Sequence, residues 1–379
     1  MSSPALPPVR TWLSAPMSRD VAEAIERLRR APDVRQIAVM PDVHLSADVC
    51  IGVAAATSCL IYPQAVGGDI GCGMLAVALD VEAEALTDRR AAGAVLADLG
   101  HAVPARRRNR SSAIAQPDDV AGGSLSHPGL ESIRRHDGML EFATLGSGNH
   151  FLEIQVDQDN RLWLMVHSGS RALGPAIRDH HLSRAQPVGG RLRALEADTA
   201  QGGEYLHDAA WARSFAAASR TAIAEQAGRV LAMRLGAHLC WDTAIATDHN
   251  HVSRERHGDC DFWVHRKGAM PARRGEPGVL PGSMGSLSFH VAGRGHSHAL
   301  CSSAHGAGRT LSRSEARAKV TVRDFHRQMQ GVWYDARLTA KLLDEAPSAY
   351  KDIRGVLRAQ KEPVKVTRTL RPVLNYKGA

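Results

Sequence analysis

Apolar positions along the chain fall into short runs separated by glycine, proline and polar clusters, and the runs carry two different periods. Val21, Ile25 and Leu28 recur at helical spacing behind Ser18, a residue suited to cap a helix start, so a helix is predicted there. Gln36 to Met40 reads as a short buried strand ending at Pro41, and Ile70 to Asp80 as a glycine-containing loop running into a strand at Leu75–Leu79. Thr87 to Leu99, rich in alanine and leucine, predicts a helix. Between about 101 and 138, Arg, Ser, Gly and Pro dominate and mark a surface excursion. Two strands follow at Phe151–Gln155 and Leu162–Val166, with Asp157 to Arg161 turning between them. Glu204 to Leu239 is the longest helical stretch and reads as two helices. Strand signals return at Phe262–Val264 and Leu287–Val291, and a helix is predicted from Arg313 to about Gln330. Interleaved strands and helices, without repeats or heptads, predict an α+β or mixed α/β fold but leave the topology open.

Composition narrows the class. The 379 residues are 44% hydrophobic and 23% charged, which excludes wholesale disorder. No apolar run approaches the roughly 18 to 20 residues that span a bilayer. The first twenty residues lack a basic segment followed by an apolar one, so a cytoplasmic protein is expected. A net charge of +8 favours a polyanionic partner. The densest basic clusters are Arg106-Arg107-Arg108-Asn109-Arg110, which fits a solvated loop as well as a phosphate contact, and the tail from Arg354 to Lys377. Six cysteines, at 50, 59, 72, 240, 260 and 301, include no CxxC pair, against both a disulfide framework and a zinc knuckle. Most are expected as buried small hydrophobes, with Cys72 the exception.

Several short segments set a chemically active side chain among glycines. Gly67-Gly68-Asp69-Ile70-Gly71-Cys72-Gly73 forces a loop in which Asp69 and Cys72 could ligate one ion or two adjacent ions; a tight turn with a buried cysteine is the plainer alternative. Leu145 to Glu153 places Asn149 and His150 at the entrance of a strand, and His167-Ser168-Gly169-Ser170-Arg171 closes the next one with groups suited to phosphate oxygens. Asp248-His249-Asn250-His251 supplies a further histidine pair, and the three loops together favour a metal site. His305 lies in a glycine turn, Ser303 to Arg309, just before a predicted helix capped near Ser312 or Ser314. A histidine nitrogen beside a bound phosphate can act as a nucleophile, and a structural histidine satisfies the same spacing. The loops Arg273 to Gly278 and Pro281 to Ser286 have the composition of a phosphate or nucleotide lid.

Taken in order, these segments resemble the RtcB family of RNA ligases over nearly the whole chain. The resemblance begins at Met40-Pro41-Asp42-Val43-His44 and is most specific at Gly68 to Gly73. It continues through Leu145–Glu153, His167–Arg171, His249-Asn250, His265–Ala269, Pro281–Gly285, His305–Arg309, Ala349–Ile353 and Lys377-Gly378. It implies one RtcB-type catalytic domain over 1–379, α+β, with mixed sheets around a central dinuclear metal cleft. Cys72 would bridge two manganese ions, His167 and His249 completing one ligand set, Asp69 and His150 the other. His305 would attack the α-phosphate of GTP and hold GMP. The GMP would pass to an RNA 3′-phosphate, or to a 2′,3′-cyclic phosphate after opening, and a 5′-hydroxyl would then displace it. Glu153, Ser283, Tyr350 and Lys377 would form the guanine pocket, Asn149 and Phe151 would line the nucleotide site, and Ala307 and Gly308 would offer backbone contacts to the phosphate. RNA repair or tRNA splicing is the implied setting.

The chain departs from the family pattern in places. Leu45-Ser46-Ala47-Asp48 stands where a glycine-lysine-glycine type stretch is usual, His251 replaces an apolar residue and is a spare ligand or a base, and Ala379 follows the usual Lys-Gly end. Compaction is expected between Leu99 and Gly138. These departures suggest a compact bacterial paralogue of the sort paired with a release-factor-like protein. Two rival readings are a metal-dependent cyclic phosphodiesterase, which would have no use for His305 or the guanine pocket, and a non-catalytic RNA-binding module, which would not need an intact ligand set.

Overall fold

Two large β-sheets carry the architecture and supply most of the site loops, while the His305 turn leaves from Ser302–Ala304, which pairs with Ala269–Pro271 in a small separate sheet. The computed structural model describes residues 6–378; Ala379 and the first five residues of the N-terminal stretch lie outside it. The expected α+β arrangement is the one adopted. One sheet has five strands in the order Val9–Thr11, Val34–His44, Ile51–Thr57, Cys260–Lys267, Asn250–His257. Its first pair is parallel and the rest antiparallel. The other has seven antiparallel strands in the order Leu239–Asp248, Gly73–Glu82, Arg161–Ser168, Phe151–Asp157, Val364–Tyr376, Ser288–Gly293, Pro277–Leu280.

The central strands of the seven-stranded sheet are buried on both faces. Leu75, Val77 and Leu79 point toward helices Arg89–Ala102 and Ala200–Leu235, meeting Val95, Ile223 and Val230. The alternate residues Met74, Ala76 and Ala78 pack against Trp163, Met165 and Leu370. Period-2 alternation therefore reads as an almost continuous apolar run, as expected where neither face meets water.

Several boundaries differ from the sequence reading for identifiable reasons. The strand beginning at Val34 runs through Pro41 to His44, because the ladder register breaks between Val39 and His44 and no pairing N–H is needed at the proline. Helix Ala200–Leu235 is one unbroken 36-residue helix, not two; it contains no proline, starts on a Thr199 cap and stops at left-handed Gly236. The expected helix from Arg313 is instead two, Arg313–Lys319 and Val322–Gln328, with Thr321 capping the second. The sequence pattern predicts neither strand Leu239–Asp248 nor strand Val364–Tyr376. A bulge between Cys240 and Ile245 hides the period of the first, and the second lies within the stretch read as a basic tail. Between Ala102 and Met139 the chain forms short helical turns whose Val120, Leu125 and Leu130 join a core cluster, while Arg108 turns inward to the carbonyls of Ala102 and Ala143. The cysteines also correct the expectation: Cys50 and Cys72 are buried, Cys240 and Cys301 half-buried, Cys59 and Cys260 exposed. No described helix is long and apolar enough to cross a membrane.

Candidate active site

The glycine loop 67–73 feeds strand Gly73–Glu82 and is fixed by bonds to the neighbouring chain turn. Gly71 N–H donates to the Asn250 carbonyl, Asn250 Nδ2 donates to the Asp69 carbonyl, and His249 N–H donates to the Cys72 carbonyl. Arg220, buried on the long helix, donates from Nη1 to the carbonyls of Gly71 at 2.7 Å and Ser168 at 2.9 Å. One guanidinium thus ties the loop of Asp69 and Cys72 to the strand end of His167. Gly169 permits the approach, since a Cβ there would fall 2.1 Å from Asp69 Oδ1.

Five side chains converge as a result. Cys72 Sγ lies 3.2 Å from His167 Nε2 and 3.6 Å from His150 Nε2. His167 Nε2 is 3.4 Å from His249 Nε2, and His150 Nε2 is 3.0 Å from Asp69 Oδ2. They form two groups that share Cys72: Cys72 with His167 and His249, and Cys72 with Asp69 and His150. Burial keeps His167 and His249 neutral, well below the ordinary imidazole range, helped respectively by the nearby His150 and His305. Burial opposes ionisation of Asp69, but His150 outweighs it and brings the carboxyl down to about 2. Burial, with Asp69 beside it, pushes the Cys72 thiol well up. Two neutral imidazoles and a carboxylate are ready ligands, and a buried thiol becomes a ligand when a cation compensates its charge. The donor set of sulfur, nitrogen and oxygen suits first-row divalent metals.

His305 stands against this cluster, its ring centroid 4.5 Å from that of His249. Its Nδ1 and its backbone N–H both donate to Asp42 Oδ2, at 2.7 and 3.1 Å, and Asp42 is fully buried. That bond fixes the tautomer with a lone pair on Nε2, which receives no hydrogen bond from the described residues. Lys351 Nζ donates to the carbonyls of Pro41 and Val43, clamping the bulge that carries Asp42. Gly308, at φ +74°, lets the His305 turn close onto it, since a Cβ would fall 2.3 Å from the Asp42 carbonyl oxygen. Asp42 and Lys351 lie inside quoted motifs, yet nothing in their spacing assigns these tasks.

On one side of His305 opens a cavity of about 750 Å³ lined by Asn149, Phe151, Glu153, Ser283, Ala307, Gly308, Tyr350 and Lys377 together. Glu153 is buried and accepts from Gln155 Nε2 and Asn375 Nδ2, both at 2.6 Å. Burial outweighs those bonds and raises its carboxyl to about 8. A second wall carboxylate, Glu345, escaped the sequence reading. Burial would raise it too, but Lys377 and Arg313 hold it below its ordinary value, with Tyr350 Oη donating at 2.7 Å. It sits in a three-residue turn, and only the chain's return brings it to Lys377.

Other residues lie elsewhere. Arg171 donates to Thr144 Oγ1 and the Ala105 carbonyl, bracing the loop below Asn149 rather than meeting a phosphate. Arg309 does reach the cavity wall, bonded there to the Asp344 carbonyl and Tyr350, and the helix after it spans Arg313–Lys319. His251 sits 2.9 Å from Asp248 and 3.2 Å from Arg266, apart from the ligand groups. In the lid-like loops, Pro281 to Met284 reach the cavity, whereas Arg273 pairs with Glu255 and Glu276.

The family model described as tRNA-splicing ligase RtcB matches residues 24–126 and 114–378. The chain is 35% identical to the RNA-splicing ligase RtcB of Escherichia coli, across 98% of this chain and 97% of that protein. It is 30% identical to the RNA-splicing ligase RtcB of Mycobacterium tuberculosis, across 86% and 92%. It is 27% identical to the tRNA-splicing ligase RtcB of Nanoarchaeum equitans, across 91% and 88%.

Proposed function

Because this chain belongs to the RtcB family, an enzyme family of RNA-splicing ligases, we propose that it joins RNA 3′-phosphate or 2′,3′-cyclic phosphate ends to 5′-hydroxyl ends, with GTP as the energy source and His305 as the GMP carrier. One observation carries the reading: an oriented, unencumbered imidazole nitrogen stands between a cavity walled by Glu153, Tyr350 and Lys377 and a five-ligand cluster. In the first step the Nε2 lone pair of His305 attacks the α-phosphorus of GTP, forming a P–N bond while the bond to the leaving pyrophosphate breaks. An oxygen of the RNA 3′-phosphate next attacks that phosphorus, breaking P–N and leaving RNA capped through a pyrophosphate to guanosine. The 5′-hydroxyl then attacks the RNA phosphorus, GMP departs, and a phosphodiester remains. Asp42 holds the Nδ1 proton throughout and stabilises the charge on the ring as P–N forms.

Two manganese ions are the proposed metals, held by Cys72 with His167 and His249, and by Cys72 with Asp69 and His150. When bound, such a pair polarises phosphate oxygens and neutralises charge during displacement. Guanine selectivity fits Glu153, which as a carboxylate accepts from N1–H and N2–H₂ of guanine and finds no matching donor pair on adenine. Ser283, Tyr350 and Lys377 complete that pocket; Asn149 and Phe151 line the nucleotide, and the Ala307-Gly308 backbone contacts its phosphate through the Gly308 N–H, that of Ala307 being donated to the Pro281 carbonyl. We take 1–379 as one ligase domain and RNA repair or splicing as its setting. A release-factor-like companion is suggested only by the departures such as residues 45–48.

The test is a joining assay with two short RNAs, one ending in 3′-phosphate and one beginning with 5′-hydroxyl, supplied with Mn²⁺ and GTP. Joined product with GTP and little with ATP is expected. Opening of a cyclic phosphate without any joined product would instead identify a phosphodiesterase.

A further inference from the structure

His305 lies on two cavities, not one. Meeting the nucleotide cavity at Ile51, Asn149 and His305 is a second chamber, whose walls include Asp69, Cys72 and His249 together with Lys267 and Arg178. Among the described residues, Lys267 Nζ donates only to the Val49 carbonyl, at 2.7 Å. The Arg178 guanidinium lies over the metal loop, where a Cβ on Gly68 would fall 2.4 Å from Nη1. At Ala47 and Asp48 this chamber adjoins a third cavity, about 1030 Å³, lined by Arg27, Arg30 and Arg191. All three arginines are exposed, and among the described residues neither Arg27 nor Arg191 is in an ion pair; Arg30 pairs with Glu26. The hairpin bearing Arg191 is pinned to the inner chamber by buried Gln64, which donates to the Arg191 carbonyl and accepts from Arg193 N–H. Opposing charges are Asp48 at the neck and Asp179, which is paired with Arg178.

We propose that the RNA strand carrying the 3′-phosphate end lies in this groove, its backbone phosphates on Arg27, Arg30 and Arg191 and its terminus entering the chamber past Asp48. The inference rests on the ligase reading and adds to it the face by which RNA arrives. Guanosine and RNA must meet at the same imidazole, and the nucleotide cavity is only one of the two cavities that His305 lines. The 3′-phosphate must reach both the His305-bound phosphorus and the five-ligand cluster, and this chamber is bounded by both. Spaced, exposed cations leading into such a chamber match the repeating charge of a single strand, which binds mainly through its phosphates.

The test measures binding of a labelled 12-nucleotide RNA with a 3′-phosphate, across a salt series, to the full-length protein and to Arg27→Glu/Arg191→Glu. Binding is expected to weaken about tenfold or more at low salt. The slope of log affinity against log salt should shrink by roughly 1.4, two contacts at about 0.7 each. The charge-neutral pair Arg27→Gln/Arg191→Gln should show the same slope change, and Asp48→Asn should tighten binding. Labelling of the protein by α-labelled GTP should be unchanged in all of them. Arg229→Glu/Arg323→Glu, exposed arginines that line none of these cavities, is the charge control. Unchanged affinity and slope in the groove variants, or an equal loss in the control, overturns the groove. A larger loss for an RNA with a free 5′-hydroxyl and no 3′-phosphate overturns the assignment of the strand. Protein that takes no GTP label yet loses RNA affinity in the groove variants refutes the ligase reading and keeps the groove.

Discussion

The division of tasks is sharpest at single residues. Asp42 gives His305 one proton position and leaves the other nitrogen free, so Asp42→Asn should lose that preference while keeping the shape. The rate of protein labelling by GTP should fall about a hundredfold or more, with little change in thermal unfolding; a full rate in the variant would remove Asp42 from the account. Glu153 makes a prediction in pH. Its folded carboxyl is raised to about 8, so the stability it contributes is fully present below its ordinary value and is lost as pH rises through about 8. Glu153→Gln should therefore flatten the decline in unfolding free energy between about pH 5 and pH 8. Guanine binding, which needs the carboxylate, should release a proton in that window, seen as a buffer-dependent heat. A buffer-independent heat would argue against Glu153 as the group that reads guanine.

At the scale of elements, the site depends on parts that the sequence displays unequally. The glycine loops and their histidines are legible because glycine, metal-type side chains and chain order occur within a few residues. Arg220 is not, since it lies mid-helix in an alanine-rich stretch and acts through two carbonyls from distant segments. Glu345 is hidden likewise: its partners Lys377 and Arg313 arrive from just beyond the final strand and from a separate helix. The final strand reads as a basic tail because Lys365, Arg368 and Arg371 dominate its composition, although Leu370 and Leu374 are buried in the sheet. Arg220→Met should leave two carbonyls without their donor and cost about 2–5 kcal/mol, read by denaturant unfolding. It should also lower the Mn²⁺ bound per chain. Full metal loading in a correctly folded variant would show that the two loops hold their geometry without it.

Over the whole molecule, the two sheets meet where their loops converge, and the ligand groups draw on segments from Asp69 to His249. Such a set exists only when the chain is folded, so a metal that binds it must raise stability by mass action, about 2.7 kcal/mol at a hundredfold excess over Kd. Mn²⁺ should raise the unfolding temperature, a chelator should reverse the change, and Cys72→Ala should abolish it because both groups share that sulfur. The element order and most of the site were readable from local pattern and motif order. The topology was not, because strand neighbours such as Phe151–Asp157 and Val364–Tyr376 are joined by pairing across some two hundred residues rather than by any local signal.

The central claim is that His305 carries GMP, and it can be tested on the protein alone. Reduced, Mn²⁺-loaded protein incubated with α-labelled GTP should take up label that is lost in acid, survives base, and maps to the peptide containing His305. His305→Ala should take up none. Label that persists in His305→Ala, or its absence from fully metallated wild-type protein, would contradict the account.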